Sequence, residues 1–237
     1  MRQLRNLTAS LSALVLLAGC ANDDSQAEPA AATQREPTTT PAPDYTILGE
    51  SNLSSPGRWG VTAFGDPDAP VAVFDVPAGF QGHESWVWTD PQGPGEFAQL
   101  ASWAPTRVPM DPCNAKKSSA PVGPTVDDLA AALARQERTT TTKPIPVTLD
   151  GHEGLYLELT SPRRFDYQAC GPDGMQIWET GGTDGRVLGE PVTDRYWIID
   201  VDGQRVVISA LTLPAATSET VKLVTGVVET IAFVNPE

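Results

Sequence analysis

Histidine is scarce in this sequence, and several kinds of catalytic site depend on it. The 237 residues include two histidines, His83 and His152, each directly after a glycine. A serine–histidine–aspartate triad needs a histidine beside an activated serine, and no Gly-x-Ser-x-Gly turn is present to hold one. Zinc-protease spacing and phosphate-binding loops are also missing. We therefore predict no catalytic residue and interpret both histidines as exposed loop residues.

Positive charge is scarce too, which argues against nucleic acid as a partner. Sixteen lysines and arginines stand against 30 aspartates and glutamates, so the formal net charge at pH 7 is −14. A surface that binds nucleic acid needs clustered basic side chains to neutralise phosphates. The composition therefore predicts no nucleic-acid partner and no basic patch for anionic lipid.

No apolar run is long enough to span a bilayer, which takes about 20 apolar residues. The run nearest to this, from Leu11 to Leu17, follows Arg2 and Arg5 and precedes Leu17-Ala18-Gly19-Cys20. A basic start, a short apolar core and small residues at the end are typical of a secretory signal. We predict a signal peptide over residues 1–19.

Cys20 stands where the processed chain would begin. Leu-Ala-Gly-Cys resembles the lipobox of bacterial lipoproteins, in which the cysteine receives diacylglycerol and further acyl chains such as palmitate. Two or more acyl chains anchor a protein stably. The resemblance implies lipidation at Cys20 and a position on the extracytoplasmic face of the cell membrane. A coincidental cysteine after an ordinary signal peptide is the alternative.

The other cysteines form an even pair. The chain has three cysteines, and Cys113 and Cys170 remain once Cys20 is assigned to the anchor. Cysteines in an oxidising compartment usually pair, so we predict a disulfide between these two. Free thiols or a metal site are the alternatives. Neither residue has a histidine or second cysteine nearby, so we predict no metal site and no cofactor.

Composition divides the chain that follows the signal peptide into two parts. Residues 20–57 are rich in proline, threonine and small residues and predict a lipid-anchored disordered tether. Residues 58–237 contain β-rich runs and predict one globular domain, which is long enough to bury a core. We expect the protein to be a monomer.

Local patterns within the domain predict an α+β fold. Thr125 can cap a helix over residues 126–136, and Thr217 one over residues 218 to about 231. Asp202-Gly203 separates two β-branched runs, which predicts a hairpin. Because hairpin connections dominate, we expect a mostly antiparallel sheet covered by the two helices.

Several short motifs follow one another along the domain: Val76–Phe80, Asp111–Cys113, Gly123–Leu129, Leu149–Gly151 with Leu155–Glu158, and Trp197–Gly203. In this order they resemble a group of uncharacterised secreted proteins and lipoproteins of high-GC Gram-positive bacteria. The element order also resembles, more loosely, the PsbP-like α/β/α sandwich. Neither resemblance implies a reaction, so no catalytic residue is carried over.

Tryptophan supplies the remaining hint of a site. Trp86 and Trp88 alternate along one strand candidate and share a face, and Trp103 lies in a neighbouring candidate. An open face of this kind could stack on a sugar ring or an apolar ligand. If the face is closed, the three rings belong to the core.

Three function classes follow from these observations. The first is a surface lipoprotein whose domain binds an envelope ligand or a protein partner without catalysis. The alternatives are an envelope hydrolase that uses paired carboxylates and a structural factor in envelope assembly.

Overall fold

Strands outnumber helices throughout the part of the chain that the structure describes. The computed structural model describes residues 44–49, 52–53, 55–89, 96–181 and 185–236. The predicted signal peptide, Cys20 and most of the predicted tether lie outside these residues. The helices are α1 (Ala115–Ser118), α2 (Val126–Ala134) and α3 (Ser218–Val228). The strands are β1 (Thr46–Ile47), β2 (Gly57–Val61), β3 (Val71–Val76), β4 (Phe80–His83), β5 (Trp86–Thr89), β6 (Ala98–Trp103), β7 (Arg107–Pro109), β8 (Ser119–Pro121), β9 (Thr140–Thr141), β10 (Ile145–Leu149), β11 (His152–Thr160), β12 (Met175–Glu179), β13 (Gly185–Leu188), β14 (Thr193–Val201), β15 (Gln204–Thr212) and β16 (Ala232–Val234).

A large antiparallel sheet forms the centre of a single α+β domain. Its strand order is β10-β11-β14-β15-β6-β5-β4, and β9 adds to β11. Strands β14 and β15 form the predicted hairpin, with Asp202 and Gly203 at positive φ angles of 53° and 86° in its turn. Both angles suit the two-residue turn that matches strand twist. The prediction of a mostly antiparallel sheet is confirmed.

Alternation along the central strands gives the sheet two apolar faces. On one face, Leu100 and Ile208 belong to a cluster that includes Val224, Val227 and Val228 of α3. We call this side the α3 face. It also packs against a small sheet of order β1-β2-β3-β16, through residues such as Val61, Ala72 and Phe74.

The opposite side, which we call the α2 face, has its own cluster. Leu157 and Tyr196 of the central sheet belong to it, together with Leu129 and Leu133 of α2. A third sheet of order β13-β12-β7-β8 contributes Ile177, among other residues. Each apolar cluster thus combines residues of the central sheet with residues of one longer helix and one small sheet. The sequence analysis missed these small sheets because several of their strands are only three or four residues long.

The folded domain begins before residue 58, where the sequence analysis placed its start. Strand β1 pairs in parallel with β2, and the Leu48 N–H donates to the Gly60 carbonyl at 2.9 Å. Leu48 is fully buried within the α3-face cluster. The edge of β2 offers backbone hydrogen bonds to a neighbouring segment, and the composition of residues 20–57 as a whole does not reveal that Thr46 to Leu48 take them.

A disulfide joins Cys113 and Cys170, as the cysteine count predicts. It links two short 3₁₀ turns, Pro112–Asn114 and Tyr167–Cys170, and it lies beside the α2-face cluster. Among the described residues, no helix has the length and apolar character needed to span a membrane.

Candidate functional site

The three tryptophans singled out in the sequence lie on one face of the central sheet. Trp86 pairs across the strands with Ala101, and Trp88 pairs with Gln99. Trp103 is two residues beyond Ala101 on β6 and therefore shares that face. All three side chains lie on the α2 face.

Their exposure differs, so the alternatives of an open face and a closed face apply to different rings. Trp103 is only 1% exposed, and its Nε1 donates to the Ser209 hydroxyl at 3.2 Å. It is a core residue and cannot reach a ligand at the surface. Trp86 and Trp88 are half-buried. A ligand contact remains a prediction for these two residues alone.

Trp103 lies at the centre of a set of packed rings. Its ring centroid is 4.6 Å from that of Phe64, 5.3 Å from Trp86 and 5.8 Å from Trp178. Trp178 in turn contacts Tyr196, with centroids 4.8 Å apart. We call these five residues the aromatic cluster. Mutual edge and tilted contacts of this kind fix the position of each ring.

An ion pair is buried beside the aromatic cluster. The Arg186 Nε and Nη2 donate to Asp194 Oδ2 at 2.9 and 2.7 Å, and the two side chains are 3% and 0% exposed. Arg186 Nη1 donates to Gln99 Oε1 at 2.8 Å. Its guanidinium carbon lies 5.6 Å from the Trp103 ring centroid and 5.9 Å from that of Trp86, within reach of a cation–π contact.

Burial controls the electrostatics of this pair. It raises the pKa of the Asp194 carboxyl above its ordinary value, while the guanidinium of Arg186 opposes the rise. Burial also raises the pKa of Tyr196 well above 10.0, so its hydroxyl keeps its proton and donates to Asp194 Oδ2 at 3.1 Å. Among the described residues, Asp194 Oδ1 and Trp178 Nε1 are buried without a hydrogen-bond partner. Five other side chains of the described residues share this condition, so it does not single out the region. The buried charged pair beside the aromatic cluster is what marks the region as a candidate site.

A cleft of about 560 Å³ opens beside Phe64. Phe64 is at once a member of the aromatic cluster and part of the cleft wall. Gly65 has a φ of +90°, and a Cβ there would overlap the side chain of Thr180. Only glycine therefore allows this turn to approach the end of β12 so closely. The residues that line the cleft are Gly49, Thr62, Ala63, Phe64, Gly65, Asp66, Pro67, Glu84, Ser85 and Gly181.

The cleft lining combines apolar surface with negative charge. Asp66 and Glu84 are its two ionisable residues, and the described lining includes no lysine, arginine or histidine. An apolar wall with acids at the rim suits a neutral or cationic molecule that has an apolar face. A bound anion would be repelled by both carboxylates.

The interpretation of both histidines as exposed loop residues is wrong, because His83 is the last residue of β4 and His152 is the first residue of β11, and both are partly buried. His83 is next to Glu84, with 3.9 Å between Nδ1 and Oε1, and its side chain is 44% exposed. His152 instead makes an edge contact with Phe233. Among the described residues, no group of three or more histidine, cysteine, aspartate or glutamate side chains could hold a metal ion.

Sequence reasoning missed Phe64, Arg186 and Asp194. The burial of Asp194 could have been predicted from the sequence. It alternates in β14 with the buried Tyr196 and Ile198, which places its carboxylate on an apolar face. Arg186 lies in a four-residue strand that no local pattern predicts. Phe64 meets Trp103 through an isolated bridge between residues 39 positions apart, which only the fold creates.

No family model matches this chain, and no curated protein matches it. Among solved structures, LpqN of Mycobacterium tuberculosis, a protein involved in cell envelope biogenesis, is 15% identical over 78% of this chain and 92% of its own, with a TM-score of 0.41. A protein of unknown function from Pseudomonas aeruginosa is 13% identical over 76% and 99%, with a TM-score of 0.39. The CyanoP protein of Synechocystis sp. PCC 6803, a cyanobacterial PsbP, is 12% identical over 77% and 94%, with a TM-score of 0.34. At these values the likenesses carry no argument about function, and both resemblances read from the sequence stay predictions.

Proposed function

We propose that this chain is a lipoprotein on the extracytoplasmic face of the cell membrane, anchored through Cys20, whose domain binds a ligand without catalysis. The signal-peptide pattern and the lipobox support the location. The disulfide between Cys113 and Cys170 supports an oxidising compartment. We further propose that the domain acts as a monomer.

One observation carries the binding part of the proposal, namely the double position of Phe64. Phe64 is one of the residues that line the cleft, and its ring packs on Trp86 and Trp103, with centroids 4.9 and 4.6 Å away. A ligand that stacks on Phe64 would meet a ring that is already held in place. Such preorganisation limits the entropy lost on binding.

The buried ion pair between Arg186 and Asp194 also supports ligand binding at the cleft. Buried pairs rarely add stability compared with apolar residues of equal volume, so their presence can reflect a need for a fixed arrangement. Here the pair holds a guanidinium against the rings of Trp86 and Trp103. We infer that it keeps the aromatic cluster in the geometry that the cleft requires.

Ligand binding at the cleft can be measured with a simple cation. Benzyltrimethylammonium should bind more tightly than neutral benzyl alcohol, because Asp66 and Glu84 lie at the rim. Phe64→Ala should weaken binding of the cation about two- to tenfold, which corresponds to the loss of one aromatic contact. Phe165→Ala is the matched control, because Phe165 is another half-buried ring on the α2 face. Equal affinities in the parent and in Phe64→Ala would overturn the proposed site.

The location is tested by intact mass. The protein extracted from membranes without a reducing agent should carry a diacylglyceryl group on Cys20. A Cys20→Ala version should lack that mass. The mass should also be two hydrogens short because of the bond between Cys113 and Cys170. An unmodified Cys20 would contradict the membrane anchor.

A hydrolase remains the second candidate, because the cleft lining contains two carboxylates. Asp66 Oδ1 accepts a hydrogen bond from the Asp68 N–H at 3.0 Å, so this side chain already serves a turn. Glu84, which also lines the cleft, would then be the acid or base. Loss of polysaccharide hydrolysis in both Asp66→Asn and Glu84→Gln would favour this candidate over pure binding. A structural role in envelope assembly stays a prediction.

A further inference from the structure

A second depression, of about 560 Å³, lies between α3 and strands β2 and β3. It shares no lining residue with the cleft beside Phe64. The residues that line it are Gly57, Arg58, Asp75, Val76, Pro77, Lys222, Leu223, Gly226, Val227 and Thr230. We call it the α3 groove. Its volume falls within the range of about 300–1,000 Å³ that is usual for ligand sites.

Apolar side chains form the inside of the α3 groove. Val76 and Val227 are 2% and 3% exposed and belong to the core, so they give the groove a fixed floor. Leu223 is 43% exposed, one of the few large apolar side chains in the described residues with that much exposure. A floor and wall of this kind suit a hydrocarbon chain.

Gly226 shows that the groove is kept open. It lies inside α3, and a Cβ at this position would meet no heavy atom within 4 Å. Glycine is the poorest helix former after proline, so folding alone would favour alanine here. Neither a close approach of another segment nor a positive φ explains the glycine. The missing side chain instead leaves room in the groove.

Two cations stand at the rim of the α3 groove. Arg58 and Lys222 both line it, in a chain with 16 basic and 30 acidic residues. Arg58 contacts the Asp44 carboxylate at 3.4 Å, with side chains that are 40% and 76% exposed. An exposed pair of this kind is weak, so another anion can replace Asp44. Asp75 is the one acid in the lining.

We propose that the α3 groove binds a fatty carboxylate. Its hydrocarbon chain would lie between Leu223 and Val76, over the space left by Gly226. Its carboxylate would reach Arg58 and Lys222 and displace Asp44 from the guanidinium. This site is additional to the cleft beside Phe64.

Filling the groove tests the apolar part of the proposal. The probe is dansylated undecanoic acid, whose fluorescence rises in an apolar site, and the protein is the full chain with Cys20→Ala, so that no acyl chain of its own competes. Gly226→Leu should weaken probe binding at least tenfold while the melting temperature is unchanged or higher. Gly226→Ala places a single methyl group in the groove, so it should weaken probe binding less than Gly226→Leu does and should raise the melting temperature.

Changing the rim tests the charge. Arg58→Gln and Lys222→Gln should each weaken binding of dansylated undecanoic acid several-fold, whereas Asp44→Asn should strengthen it. The corresponding dansylated alcohol should bind more weakly than the acid and should not respond to these changes. Lys143→Gln, at an exposed position outside the groove lining, is the control.

Three results would overturn the proposal. The first is undiminished probe binding by Gly226→Leu. The second is equal binding of the acid and the alcohol. The third is a dimer in sedimentation that Leu223→Asp dissociates, without probe binding by the monomer, since the groove would then be an interface between copies. Phe64→Ala should leave probe binding unchanged, because Phe64 does not line the α3 groove. A negative result for the α3 groove would therefore not contradict the ligand site proposed beside Phe64, and the reverse also holds.

Discussion

Arg186 and Asp194 face each other inside the protein with almost no contact with solvent. Two guanidinium nitrogens donate to one carboxylate oxygen at 2.9 and 2.7 Å. The pair joins β13 to β14, and thus the small sheet on the α2 face to the central sheet. Loss of either charge leaves the other buried and unpaired.

We therefore expect Arg186→Met to lower the free energy of unfolding by about 3–5 kcal/mol. The double variant Arg186→Met/Asp194→Leu should recover much of that loss, because no charge then remains buried without a partner. Urea unfolding followed by tryptophan fluorescence measures both. Arg58→Met is the control, since its contact with Asp44 is largely exposed and should contribute about 1 kcal/mol or less. A loss of the same size in Arg58→Met and Arg186→Met would contradict this prediction.

Trp103 and Trp86 should respond differently to truncation. Trp103→Ala removes a buried ring together with its hydrogen bond to Ser209 and should cost about 3–5 kcal/mol. Trp86→Ala should cost clearly less, because that ring is half-buried. The same urea titration compares them. Equal losses would mean that Trp86 is as much a core residue as Trp103.

Removal of the disulfide should destabilise the domain strongly. Cys113 and Cys170 close a loop with a sequence separation of 57, for which the chain-entropy relation gives about 4 kcal/mol. Cys113→Ser/Cys170→Ser should lower the melting temperature accordingly, as thermal unfolding followed by circular dichroism would show. Reducing agent should lower the melting temperature of the parent and leave the double variant unaffected. Two titratable thiols in the native parent would contradict the disulfide itself.

The start of α2 depends on a reciprocal pair of hydrogen bonds. Thr125 Oγ1 accepts from the Asp128 N–H at 3.1 Å, and Asp128 Oδ2 accepts from the Thr125 N–H at 3.0 Å. Thr125→Ala should therefore cost about 1 kcal/mol in urea unfolding. Thr148→Ala, at an exposed strand position, serves as control and should cost less than half of that. Equal free energies of unfolding for Thr125→Ala and Thr148→Ala would contradict a stabilising role of the helix cap.

Acid should destabilise the domain through Asp111. Its hydrogen bond from Arg138 at 2.8 Å is the main cause that holds the pKa of the Asp111 carboxyl below its ordinary value of 3.8. A carboxyl whose pKa is lowered by folding contributes stability above its unfolded pKa and loses it as the pH falls through its folded pKa. The free energy of unfolding should thus fall on acidification below about pH 4.

Comparison with Asp111→Asn isolates this contribution. The parent should lose more stability than the variant between pH 5 and pH 2, within the range where a paired aspartate titrates. Asp194 has the opposite sign, because burial raises its pKa, but it is present in both proteins and cancels in the difference. Asp173→Asn, at an exposed position, is the control and should follow the parent. Parallel curves for the parent and Asp111→Asn would contradict the assignment.

Local patterns predicted several elements well. Thr125 and Thr217 cap α2 and α3, and Asp202-Gly203 turns the long hairpin. Capping and turn formation depend on residues within a few positions of one another, so the local sequence is enough to predict them. The helix ends were less certain, and α3 ends at Val228 rather than near Ile231.

The candidate site was predicted only in part. Alternation placed Trp86 and Trp88 on one side of a strand, and the structure adds Trp103 to that side. The burial of Trp103 depends on Phe64 and Trp178, which reach it from distant parts of the chain. Desolvation of a side chain is a property of its neighbours in space, and periodicity within one strand does not identify them.

The sequence by itself determined the secretory pattern, the pairing of Cys113 with Cys170, the helix caps and the antiparallel character of the sheet. These features follow from composition, residue counts and short-range chemistry. The tertiary structure alone decided that Arg186 meets Asp194, that Trp103 is closed off from solvent and that Gly226 lies over an open groove. Each of these depends on which distant segments pack together, and their packing sets the burial and the charge that any ligand would meet.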